Sequence, residues 1–188
     1  MHSSLLASQS SVLDALVHSG LKESSDRLVI WEHIAEHTFA QFSEFAYTGD
    51  FTIAGPSVNN VGANTSQTVE ISYGSWFVQY ADLMVFAECY AIDDLLVLAN
   101  SKLEKVLNSL PMKRTGKQSD QNTRLIEGIC DLCQYCYSRK PPQILSDLVR
   151  SVLKKYAASL WQDEKFQKVV KESQPIAIDF IGCIVERL

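Results

Sequence analysis

The chain has 188 residues, 46% of them apolar and 10% aromatic, the proportions of a folded globular protein and not of a disordered one. That length can bury a core in one domain, or in one domain with a helical extension. The net charge of −5 argues against a general nucleic-acid binder, and no apolar run approaches the roughly 20 residues that span a bilayer.

Met1 to Ser11 carries neither a basic region nor a long apolar core, so no secretory signal is read there. Five cysteines at irregular spacing then read as reduced thiols of the cytosol or nucleus.

The first elements read as helix. Leu5 and Leu6 are followed by Val12, Leu13, Leu16 and Val17 at intervals of three and four. Ser10 or Ser11 can cap the second helix with a side-chain oxygen, and Gly20 can end it. Leu28-Val29-Ile30-Trp31 is short, apolar and β-branched, which predicts a strand. A helix is expected from about Ile34 to Tyr47, with Phe39, Phe42 and Phe45 on its buried stripe. Gly49 can end it at positive φ.

Residues 51 to 75 are rich in Gly, Asn and Ser and predict a loop, most mobile over about 55–67. Phe51 to Ile53 and Val69 to Tyr73 have weak strand character and can pair as a hairpin. Helices are expected at about Trp76 to Cys89 and Asp93 to Leu107. Pro111 to Gln118 is basic and reads as a linker.

The last third is helical again. Leu125, Ile129, Leu132, Cys133 and Cys136 form one stripe. After Pro141-Pro142, the run Ile144, Leu145, Leu148, Val149, Val152, Leu153, Tyr156 and Leu160 keeps the helical period closely. Phe166 to Val170 and Ile176 to Val185 complete a bundle. The predicted fold is therefore α+β, mostly helical, with a small β-sheet. It divides into a domain at 1–110, a linker at 111–118 and a helical extension at 119–188.

Two clusters could carry chemistry. Cys130, Cys133 and Cys136 spell C-x-x-C-x-x-C, which suits zinc or an iron–sulfur cluster. No fourth ligand lies nearby, and on a helix the third thiol rotates away from the first, so small core cysteines are the better reading. His33, Glu36 and His37 spell H-x-x-E-H, one turn of a metalloprotease pattern. A third ligand has no candidate, and the motif reads as a solvated helix start. Asn64-Thr65-Ser66 fits a glycosylation site, which needs a secretory route. No nucleophile elbow, phosphate loop or dinucleotide fingerprint occurs. No catalytic residue, cofactor, bound metal or small-molecule substrate is expected.

The ordered segments resemble the BTB/POZ family, especially its fungal members. His2-Ser3-Ser4-Leu5-Leu6-Ala7-Ser8-Gln9-Ser10-Ser11-Val12-Leu13 is similar to the family's H-K-x-L-L-A-x-R-S-P-V-F helix pair. Gly20 to Ser24 resembles its M-x-E-S turn, and Arg27 to Glu32 the strand after it. Thr38 to Phe51 resembles F-x-x-F-L-x-Y-x-Y-T-G-D-Y, and Val85 to Leu95 resembles V-Y-x-L-A-D-K-Y-x-I-x-x-L. The resemblance spans residues 2 to 107. The helices after 119 resemble the extension of the fungal members.

The chain differs from the family at Ser3, where Lys is usual, and at Leu13, where Phe is usual. The family's opening strand and hairpin should precede His2, so the chain reads as an N-terminally shortened member. It also lacks that hairpin's acidic pocket residue.

The resemblance implies a protein-interaction module: a homodimer, an adaptor for a partner such as a cullin ubiquitin-ligase scaffold, or both. It places Leu5, Leu6, Val12 and Leu13 in a dimer contact, and Tyr90 and Asp93 facing a scaffold. The unpaired strand at Leu28 to Trp31 is a second argument for self-association. The rival from another class is a metal- or thiol-dependent enzyme centred on Cys130 to Cys136.

Overall fold

The computed structural model describes residues 1–18, 29–56, 72–110 and 120–186. The described residues form helices α1 (Ser3–Ala7), α2 (Ser11–His18), α3 (Glu36–Thr48), α4 (Tyr73–Cys89), α5 (Asp93–Asn108), α6 (Asp120–Ser138), α7 (Gln143–Trp161), α8 (Glu164–Glu172) and α9 (Gln174–Val185). None is long and apolar enough to cross a membrane.

Local chemistry explains most boundaries. Ser10 Oγ accepts from the amide of Leu13 at 3.1 Å and caps α2. Gly49 takes φ +76°, and its amide closes α3 on the Phe45 carbonyl at 2.7 Å. Ser72 caps α4, and Asp163 caps α8 by accepting from the amides of Lys165 and Phe166. Asp93 and Asp94 stand in the first turn of α5, where carboxylates complement the helix dipole.

The expected α+β class is not found: among the described residues there is no strand and no sheet. Val29 to Trp31 is followed by a turn, in which the Ile34 amide donates to the Trp31 carbonyl at 3.3 Å. Among the described residues, no backbone group pairs with Phe51 to Ile53. Side chains take its polar groups instead. Asp50 Oδ1 accepts from the Phe51 amide at 2.8 Å, Glu44 Oε2 accepts from the Thr52 amide at 2.9 Å, and Lys102 Nζ donates to the Phe51 carbonyl. Phe51 and Ile53 are buried, so this segment gains its burial and these three hydrogen bonds with no strand beside it among the described residues. Of the Val69 to Tyr73 candidate, Ser72 is the cap of α4 and Tyr73 its first residue. The rest of it lies outside the described residues, as do the mobile segment expected at 55–67 from Ser57 onward and the expected linker.

α4 is the hub, packed on α3, α5 and α6. Two glycines allow the closest of these contacts. A β-carbon at Gly74 would overlap the Asp131 carboxylate, and one at Gly128 would lie 2.7 Å from the Tyr73 β-carbon. α7 closes the bundle over α5: Tyr156 Oη donates to the Leu107 carbonyl at 3.1 Å, and Lys155 Nζ to Asn108 Oδ1 at 2.9 Å. One connected core runs from Leu6 to Cys183 and includes side chains from both sides of the expected linker.

Candidate functional site

The start of α2 lies against the turn between α4 and α5. Ser10 Oγ donates to the Tyr90 carbonyl at 2.6 Å, so the oxygen that caps α2 also satisfies the last turn of α4. The turn passes through Ala91 at φ +50°, a left-handed conformation that costs a residue with a β-carbon. Tyr90 is half-buried, and burial raises its phenol above the usual range.

An aromatic cluster surrounds this turn. The Trp31 ring centroid lies 5.4 Å from Phe39, 5.5 Å from Tyr90 and 5.6 Å from Phe86. Phe86 is buried, Trp31 and Tyr90 are half-buried, and Phe39 and Ile30 are exposed. Val12 in the first turn of α2 and Asp93 in the first turn of α5 are exposed as well. Aromatic groups with one open side and a charged rim are the surfaces on which protein partners anchor.

The residues expected in a dimer contact separate. Leu6 and Leu13 are buried in the chain's own core, Leu5 is half-buried, and Val12 is 42% exposed. Only Val12 and part of Leu5 are open to a partner. Tyr90 and Asp93, expected to face a scaffold, lie at the same end of the molecule as the start of α2. The serine-cap signal was legible in the sequence. The carbonyl it also reaches was not, because Tyr90 lies eighty positions away.

The cysteine cluster is held in a chemically quiet state. Cys130, Cys133 and Cys136 are buried on α6. Burial pushes the thiols of Cys130 and Cys136 up to about 12, and that of Cys133 well above the ordinary value. A neutral, enclosed thiol is neither a nucleophile nor a ready metal ligand. Among the described residues no group of three or more His, Cys, Asp or Glu side chains is placed to hold a metal ion.

The H-x-x-E-H reading also separates, because α3 begins at Glu36 and His33 lies in the preceding turn, off the helix face of His37. His37 instead turns toward α4, its Nε2 3.4 Å from Asp82 Oδ2. Tyr135 Oη of α6 donates to Asp82 Oδ1 at 2.6 Å, and Arg139 stands over the Tyr135 ring. Burial first, and then this bond, raise the Tyr135 phenol. Sequence reasoning missed this clamp on Asp82, which ties α3, α4 and α6 together.

No family model, no curated protein and no solved structure matches the chain.

Proposed function

We propose that the chain is a protein-interaction module of BTB/POZ type with no chemistry of its own, acting as an adaptor and associating with itself. The observation that carries the reading is the partly exposed aromatic group of Trp31, Phe39 and Tyr90, with Val12 and Asp93 exposed in the first turns of the two helices that begin beside Tyr90. Such a surface loses apolar area to water only when a partner covers it. The rival enzyme reading asks Cys130, Cys133 and Cys136 for reactivity that their burial opposes.

The favoured partner is a cullin-type scaffold, following the sequence resemblance. The test is capture of a purified cullin N-terminal region by the immobilised chain. Saturable capture that Asp93→Arg and Val12→Asp each weaken about tenfold or more supports the reading, because both residues are exposed and tolerate substitution. Capture that neither change affects would remove this face from the function, and no capture would remove the cullin.

A further inference from the structure

Charge is spread unevenly along this chain. Residues 1–101 carry a net −10 and residues 102–188 a net +5, which together give the −5 of the whole. From residue 28 to residue 101 there are nine carboxylates and not one lysine or arginine. Basic side chains from beyond that stretch reach two of the nine: Lys102 pairs with Asp50, and Arg139 stands 3.9 Å from Asp82. In the last third the signs are interleaved, and Glu127, Asp147, Glu172, Asp179 and Glu186 each lie beside a lysine or arginine.

Five of the nine carboxylates have no such partner, and they flank the aromatic group. Glu32 follows Trp31 directly, and Glu36 stands one helical turn before Phe39 on α3. Glu88 stands two residues before Tyr90, and Asp93 and Asp94 open α5 three and four residues after it. All five are exposed, and none forms an ion pair. The rings of Phe39 and Tyr90 lie 5.4 and 5.5 Å from that of Trp31. Since at most four residues of chain separate each carboxylate from one of these rings, all five lie within about 15 Å of the group.

The rings themselves lack a cation. Lys102, Arg139 and Lys155 stand over the rings of Phe51, Tyr135 and Tyr156. Among the described residues no lysine or arginine stands over Trp31, Phe39 or Tyr90, although Phe39 is exposed and the other two are half-buried. A partly open ring beside unneutralised carboxylates attracts a cation through both its quadrupole and the local field.

This charge selects among occupants. A neutral apolar partner would strip water from the carboxylates and return no counter-charge. Nucleic acid and acidic protein surfaces are repelled. A basic protein segment meets each demand. Its arginine and lysine side chains neutralise the carboxylates and stack on the rings, and an apolar neighbour covers Ile30, 67% exposed next to Trp31. We propose that the Trp31–Phe39–Tyr90 face takes a basic segment of a partner protein, with arginine or lysine against Glu32, Glu36, Glu88, Asp93 and Asp94 and an apolar anchor beside the rings. The proposal rests on the docking face of the reading above and names the chemistry of what docks there.

Fluorescence anisotropy of a labelled amphipathic peptide of arginine and leucine, titrated with the full chain, tests it. Binding should weaken about tenfold between about 50 and about 500 mM sodium chloride. A twin peptide with glutamate for arginine should not bind, and a twin with serine for leucine should bind about tenfold more weakly. The double change Asp93→Asn with Asp94→Asn, and Glu36→Gln alone, should each weaken binding about threefold or more. Glu164→Gln removes an exposed, unpaired carboxylate on α8 and should change nothing. Binding of the glutamate twin, or equal losses in Glu164→Gln and the Asp93 and Asp94 double variant, would overturn the proposal. So would a chain mass that rises with concentration and falls back in that double variant, because the face would then belong to the basic half of a second copy. Capture of the cullin region that Val12→Asp weakens, with no peptide binding, would keep the face and overturn its basic occupant. Peptide binding with the expected losses and no cullin capture would uphold the basic occupant and remove the cullin.

Discussion

The Ser10 hydroxyl donates a 2.6 Å hydrogen bond to the carbonyl oxygen of Tyr90 while accepting one from the Leu13 amide at 3.1 Å. One oxygen thus begins α2, closes α4 and holds the N-terminal helices on the candidate docking face. Ser10→Ala removes a cap and leaves a half-buried carbonyl without its donor. It should cost about 1–2 kcal/mol in urea unfolding at unchanged slope. A cost near zero would show that this oxygen does not join the two helices in solution.

The turn that follows Tyr90 stores strain. Ala91 sits at φ +50°, where glycine alone is at ease. Relief of that strain should outweigh the added freedom of the unfolded chain. Ala91→Gly is therefore expected to raise stability by about 1 kcal/mol, against the usual sign for such a change. A rise in melting temperature checks it, and a fall would place the turn in a different conformation.

Two helical glycines should respond oppositely to the same substitution. At Gly128 a new β-carbon would press on the Tyr73 β-carbon at 2.7 Å and on its backbone carbonyl carbon at 3.0 Å. Gly128→Ala should destabilise by about 1–3 kcal/mol despite better helix propensity. At Gly182 the β-carbon enters open space, so Gly182→Ala should stabilise by roughly 0.5–1 kcal/mol. Chemical denaturation at submicromolar protein keeps association out of the comparison. Equal effects at both positions would contradict the close approach of α4 and α6.

The thiols make a prediction with a definite direction in pH. Cys89 is exposed, while Cys130, Cys133, Cys136 and Cys183 are buried. In the folded chain, iodoacetamide near neutral pH should modify Cys89 alone, and the rest only after unfolding, as mass spectrometry of timed samples would show. Folding raises the Cys130 and Cys136 thiols from 9.0 to about 12. Above pH 9 the unfolded chain therefore releases protons that the folded chain keeps, and stability should fall as pH rises from 9 toward 12. Cys136→Ala should flatten that slope, even though the cavity it leaves lowers stability at neutral pH. A slope unchanged by this substitution would show that the thiol does not govern the alkaline limb.

The helices were legible because their causes are local. Ser10 as a cap, Gly49 as a left-handed stop and the apolar stripe from Ile144 to Leu160 each act within a few residues, and each is found in the structure. The buried stripe of Cys130, Cys133 and Cys136 was legible for the same reason. The two ends of α9 were legible as well, although a sequence apolar all round does not say which face the chain covers.

The sheet was misread because a strand is not a local object. Leu28 to Trp31 and Phe51 to Ile53 have strand composition, but composition becomes a strand only where another backbone lies alongside. In the tertiary structure the carboxylates of Glu44 and Asp50 and the ammonium of Lys102 reach the polar groups of residues 51 and 52. Trp31 spends its area on Phe39, Phe86 and Tyr90. Local patterns along the chain set where it coils and which side chains are apolar. Which apolar side chains close inward, as Leu6 and Leu13 do, and which stay open, as Val12 and Ile181 do, was decided only when distant helices met. Burial is a property of the space between elements, and periodicity along one element does not contain it.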